Sequence, residues 1–117
     1  MPNIYLHNPR CSKSRQGIQI LEEMGIKFQI REYLKDPLNK KEAEELYSLL
    51  MKDYSPKEFT RHKEKIFKEL KITLEGINKK NWATLVVENP ALIERPILFS
   101  NKKVIIGRPP EELTKFK

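Results

Sequence analysis

One cysteine stands where this sequence has the best means of doing chemistry, in the run His7-Asn8-Pro9-Arg10-Cys11-Ser12-Lys13-Ser14-Arg15. It precedes a helix-compatible stretch, and the first N–H groups of a helix, together with its dipole, favour a negative charge. A free thiol titrates near pKa ~8.5; a helix N-terminus with cationic neighbours lowers that value and populates the nucleophilic thiolate. Arg10, Lys13 and Arg15 are cationic neighbours in sequence. Because Cys11 is the only cysteine, an internal disulfide is impossible, leaving a buried small hydrophobe, an intermolecular partner or a reactive thiol. The helix-start position favours the last. In Cys11-Ser12-Lys13-Ser14 a serine stands where a dithiol oxidoreductase carries its resolving cysteine, so turnover must recruit a second thiol from another molecule.

Ser12 and Ser14 can donate hydrogen bonds to a thiolate or a bound oxyanion, or simply cap the helix. His7 can bias the protonation of the thiol, or only hydrogen-bond backbone at the end of a strand. His7, Cys11 and His62 do not reproduce a zinc-ligand spacing, and no metal is expected. Three further arginines bear on the substrate: Arg61 in Phe59-Thr60-Arg61-His62, Arg95 in Glu94-Arg95-Pro96-Ile97, and Arg108 in Gly107-Arg108-Pro109-Pro110. A guanidinium offers several N–H donors in a fixed fork and suits tetrahedral oxyanions. Any one of them alone fits a solvated surface; convergence on Cys11 would give them a function.

The elements that must position these groups can be read in outline. Asn3-Ile4-Tyr5-Leu6 is β-prone and meets a turn at Asn8-Pro9. Ile18, Leu21 and Met24 then recur at helical spacing, Gly25 supplies a stop, and Phe28-Gln29-Ile30 alternates as a second strand. This βαβ start implies parallel strands, with Cys11 at the carboxyl end of the first. The middle turns helical. Asn39-Lys40-Lys41-Glu42 has capping-box spacing ahead of Ala43, Leu46, Leu49 and Leu50; Ile66, Phe67 and Leu70 suggest a second helix; Trp82, Leu85, Val86 and Val87 suggest a third, ending near Asn89-Pro90. Ile97-Leu98-Phe99 and Val104-Ile105-Ile106 read as a hairpin across Ser100–Lys103, and a final helix starts at Pro109-Pro110 with Leu113 and Phe116 inward.

With 117 residues, 38% of them hydrophobic, the chain suits one folding unit. It has no run near the ~20 apolar residues a membrane span needs and no signal-peptide pattern at its N-terminus, so a cytoplasmic, membrane-free protein is expected. Lys and Arg outnumber Asp and Glu by 23 to 16, for a charge of +7, but the basic residues are scattered with few aromatics between them. Nucleic-acid binding is therefore not expected.

At these residues the chain resembles the glutaredoxin-coupled arsenate reductase family. His7–Arg15 is similar to its active-site loop, and Arg95-Pro96-Ile97 and Gly107-Arg108-Pro109-Pro110-Glu111 to its two later signatures. The resemblance implies an α/β fold, a thioredoxin-like mixed sheet with an inserted helical subdomain over approximately 38–90 of a single domain 1–117. It also implies that Cys11 attacks the arsenic of arsenate, that Arg61, Arg95 and Arg108 hold the oxyanion, that His7, Ser12, Ser14 and Arg15 support the loop, and that Pro96 follows a cis peptide bond. Glutathione would be co-substrate, a glutaredoxin would resolve the mixed disulfide, no cofactor would be bound, and the chain would act as a monomer. A second reading shares the fold: Spx-type regulators bind RNA polymerase and sense thiol oxidation. The basic charge fits it, whereas Cys-x-x-Ser lacks their dithiol switch. Related reductase-like proteins acting on another oxyanion form a third.

Overall fold

A computed structural model describes residues 2–116. Its sheet is built on β1 (Ile4–Leu6), a short run of residues that favour extended backbone. After β1 the chain turns into α1 (Ser12–Glu23) and returns as β2 (Gln29–Arg31), parallel to β1 with Tyr5 opposite Ile30. On the other side of β1 lies β3 (Ile97–Phe99), antiparallel to it, and β4 (Val104–Ile106) continues the hairpin outward. The strand order β2-β1-β3-β4 gives a mixed α/β sheet of four strands, the thioredoxin-like class expected. β1, like β3, is an inner strand paired on both edges, so the loop leaving its carboxyl end is anchored by a strand held from both sides.

α1 stops where the sequence says it should: Met24 is its last, capping residue and Gly25 follows at φ +72°, a left-handed conformation that costs glycine little. The second strand begins one residue later than the alternation suggests. Phe28 turns inward instead, packing with Ile18, Ile20, Met24 and Ile26 against a core of Tyr5, Leu21, Leu98, Ile105, Leu113 and Phe116.

The chain divides into two compact units, one built from the segments up to Asp36 and from Arg95 onward, the other from Pro37–Glu94. The second is helical. Its first helix, α2 (Lys40–Leu50), opens with a capping box: Asn39 Oδ1 accepts from the Glu42 N–H at 2.8 Å, and Glu42 Oε1 accepts from the Asn39 N–H at 2.9 Å. Such a cap satisfies N–H groups that have no partner within the helix. Asn39→Ala is expected to cost about 1 kcal/mol, read as a lower midpoint in urea unfolding. Ala43, Leu46, Leu49 and Leu50 are buried. α5 (Lys79–Glu88) faces α2 and places Trp82 against Tyr47 and Phe59, with ring centroids 5.7 and 5.4 Å away. The indole N–H of Trp82 donates to Thr60 Oγ1 at 2.9 Å, so the buried polar atom of each is satisfied.

Three details depart from expectation. In α4 (Lys65–Glu69) only Phe67 is buried; Ile66 and Leu70 are exposed, because five residues make too short a helix to bury more than one position of its face. Before it lies α3 (Pro56–Phe59), a single turn too short to show periodicity, started by a box between Ser55 and Glu58. The final helix is a 3₁₀ helix, Pro110–Lys115, and its inward residues Leu113 and Phe116 still pack in the core.

Candidate active site

Cys11 occupies the N-cap of α1 with extended backbone (φ −92°, ψ 119°). Local hydrogen bonds hold it there. Its N–H donates to the Asn8 carbonyl at 3.0 Å, its carbonyl accepts the Arg15 N–H at 3.1 Å, and Asn8 Oδ1 accepts the Arg10 N–H at 3.1 Å. The Arg15 guanidinium reaches back to the Pro9 carbonyl at 2.7 Å, bracing the loop against the first helical turn. Cys11 is partly exposed.

Ser14, fully buried, is the hub beneath the sulfur. Its Oγ lies 2.7 Å from His7 Nδ1 and accepts the Asn8 N–H at 3.1 Å, and its carbonyl accepts the Tyr5 hydroxyl at 2.7 Å. The Ser14 side chain thus serves the loop, not the thiol; what it offers the sulfur is its backbone N–H. His7 is held through Ser14. Burial pushes its pKa down, the Glu32 carboxylate pulls up, and Arg15 pushes down again; the net value lies below an ordinary histidine. At neutral pH the ring is therefore uncharged.

Arg95 and Arg108 come together on the other side. Both Arg95–Pro96 and Arg108–Pro109 are cis peptide bonds, the second unforeseen in the sequence. The Gly107 N–H donates to the Pro96 carbonyl at 2.8 Å, and a Cβ on Gly107 would sit 2.9 Å from Pro96 Cγ and 3.0 Å from Leu113 Cγ. Only glycine lets the two segments approach so closely. Arg108 Nε then donates to the Arg95 carbonyl at 2.8 Å. Arg95 itself, half-buried, hydrogen-bonds Cys11 and interacts with the buried Tyr33.

These contacts set the charge of the thiol. Partial burial alone would raise its pKa, but the Ser14 N–H, the hydrogen bond from Arg95, the Lys13 N–H and the Arg95 charge together outweigh burial and hold Cys11 below the ordinary thiol value. The sign follows directly. A lowered pKa keeps thiolate present at pH values where a free cysteine is protonated, and that excess vanishes as the pH falls through the lowered value. Alkylation by iodoacetamide should therefore show a rate profile displaced to lower pH than that of a cysteine peptide.

Arg61 has other partners. It lies in the helical unit, where its Nε and Nη2 donate to Glu64 Oε1 at 3.0 and 2.7 Å and its Nη1 to Glu94 at 3.4 Å. Ser12 is exposed at the first position of α1. Sequence reasoning missed Tyr5 and Tyr33. A glycine in the middle of α1, Gly17, is the signal that could have pointed to Tyr5, since interior helical glycines often mark a close approach. Among the described residues, no group of three or more His, Cys, Asp or Glu side chains could hold a metal ion.

The model of the ArsC family matches residues 6–116, taking in the Cys11 loop and both arginine segments. The chain belongs to the ArsC family. Among curated relatives of this ArsC-family chain, the protein called "Uncharacterized protein YfgD" of Escherichia coli (strain K12) is 38% identical over 92% of the chain and 89% of its own length. An arsenate reductase of Neisseria meningitidis is 36% identical over 97% of both. An arsenate reductase structure from Vibrio cholerae superposes with a TM-score of 0.87 at 34% identity, covering 100% of this chain and 98% of that one. A global transcriptional regulator, Spx 1 of Oceanobacillus iheyensis, is less similar, at 29% identity over 93% of the chain and 82% of its length.

Proposed function

We propose that this ArsC-family chain is a glutathione- and glutaredoxin-dependent arsenate reductase that works through Cys11. The observation that carries this reading is a thiol of lowered pKa touched by a half-buried guanidinium: Arg95 both favours the thiolate and offers donors beside it for an anion. Arsenate reductases that match the chain over nearly its whole length support the choice of substrate.

In this mechanism the Cys11 thiolate attacks arsenic, an S–As bond forms, and one arsenate oxygen leaves as water after protonation. Arg95 and Arg108 receive the negative oxygens, where fixed donors are most effective at stabilising developing charge. Arg61 is the third arginine of the resemblance, and an anion would compete for it with Glu64 and Glu94. Glutathione thiolate next attacks the Cys11 sulfur; the S–As electron pair passes to arsenic, reducing As(V) to As(III), and arsenite departs. The Cys11–glutathione disulfide is then reduced by a glutaredoxin thiol, returning the Cys11 thiolate. Two external thiols are consumed because Ser14 replaces a resolving cysteine. Such a cycle belongs in the cytoplasm, where thiols stay reduced. Among the described residues no helix is long and apolar enough to cross a membrane.

The test is arsenate-dependent NADPH oxidation coupled through glutathione, glutaredoxin and glutathione reductase. Turnover that needs all components is expected. Absence of turnover, together with retention of RNA polymerase on the immobilised chain, would favour a regulator of the Spx type; absence with turnover of another oxyanion would move the substrate.

A further inference from the structure

Ser14 is gripped from several directions, and the grip from below comes from a residue outside the active-site loop. Tyr5 lies in the middle of β1, paired with Ile30 on one side and Leu98 on the other, so its backbone is fixed by both neighbouring strands. Its side chain is fully buried, with the ring 5.8 Å from that of His7 and 5.7 Å from that of Phe28. The hydroxyl emerges under the first turn of α1 and donates to the Ser14 carbonyl at 2.7 Å. A carbonyl oxygen has two lone pairs, so this bond adds to the helical one without replacing it. Space for the hydroxyl exists because residue 17 is glycine. A Cβ there would overlap the Tyr5 hydroxyl and approach Leu113 Cδ1 at 2.8 Å. Glycine inside a helix costs roughly 1 kcal/mol relative to alanine, and here that cost accompanies a slot occupied by one polar atom.

We infer that Tyr5 is a positioning residue for the thiol, fixing the first turn of α1 from the sheet so that the N–H groups of that turn keep their place beside the N-cap residue Cys11. The link is short. The Tyr5 hydroxyl holds the carbonyl of Ser14, the third residue of α1, whose N–H is one of the helix-start donors next to the N-cap residue Cys11, while His7 and Asn8 hold its hydroxyl. N–H donors stabilise an anion only while they point at it, and interactions weaken steeply with misalignment. Burial keeps the Tyr5 phenol protonated well above the ordinary tyrosine range, so it remains a donor throughout the working pH range. Tyr5 touches neither substrate nor sulfur; it acts through Ser14. The inference rests on the reading of Cys11 as an activated thiol.

Tyr5→Phe keeps the buried ring and removes the donor. The alkylation profile of Cys11 is expected to move up by on the order of half to one pH unit, the equivalent of one hydrogen bond of ordinary strength; well below the pKa this is roughly three- to tenfold less thiolate. Gly17→Ala should shift the profile in the same direction by displacing the hydroxyl. In Tyr5→Phe/Gly17→Ala the overlap with the hydroxyl is relieved, so the profile should match that of Tyr5→Phe alone, with part of the melting temperature lost in Gly17→Ala regained. A lowered melting temperature with an unmoved profile in Tyr5→Phe, or additive shifts in the double variant, would make Tyr5 a core residue only and overturn the inference. A wild-type profile already at the position of a free cysteine would instead fail the reading of Cys11 itself, which separates the two failures.

Discussion

Cys11→Ser is expected to abolish arsenate reduction, lowering the rate by a factor on the order of 10³ or more, in the coupled assay with glutathione and glutaredoxin in excess. The reason is the ionisation that the site provides. Ser14 and Lys13 N–H groups and the Arg95 guanidinium stabilise an anion on the side chain at residue 11; a thiol ionises within their reach, whereas a hydroxyl does not. The variant should fold normally, since residue 11 is partly exposed and serine is a favoured residue at the N-cap position it occupies. Unchanged melting with lost turnover is therefore the expected pair of observations. Retained turnover would assign the nucleophile elsewhere, and no other cysteine exists to take the role.

Arg95 is expected to produce the second largest effect, and two substitutions separate its contributions. Arg95→Ala removes a hydrogen bond and a positive charge from the sulfur. With anion stabilisation lost, the thiol pKa rises, the thiolate fraction at neutral pH falls, and the alkylation profile moves to higher pH. In the proposed mechanism it also removes donors to the oxyanion, a kind of loss that typically costs about 10²–10³ in kcat. Arg95→Lys keeps the charge but loses the fork, so it should restore part of the thiol profile while recovering little turnover, remaining roughly 10- to 100-fold below the parent. Full activity in Arg95→Lys would reduce the role of Arg95 to its charge alone. Comparing kcat with the alkylation profile across both variants distinguishes a residue that tunes the thiol from one that also receives the anion.

Much of this arrangement was legible because it is local. The helix start after Cys11, the stop at Gly25, the capping box at Asn39 and the hairpin across Ser100–Lys103 each depend on residues a few positions apart, and all four are present. What escaped depends on distance or on brevity. α3 is one turn long, so periodicity had nothing to act on, and α4, present where Ile66, Phe67 and Leu70 suggested a helix, turns only Phe67 inward. The partners of Arg61 include Glu94, 33 residues away, and only the fold brings them together. Tyr5 reads in sequence as one more β-prone residue; its hydroxyl gains meaning through Ser14 and the slot at Gly17. The motif around Cys11 points to the chemistry, while the atoms that set its charge include Arg95, contributed by a segment far along the chain.

The proposed dependence of Cys11 on a thiol from another molecule is tested most directly by mass spectrometry of the intact protein after incubation with arsenate and glutathione, with glutaredoxin omitted. The predicted product carries one glutathionyl group, mapped to Cys11, and forms only when arsenate is present, together with one equivalent of arsenite; adding glutaredoxin removes it and lets arsenite form beyond that one equivalent. A protein that stays unmodified while arsenite accumulates, or one glutathionylated equally without arsenate, would contradict the mechanism.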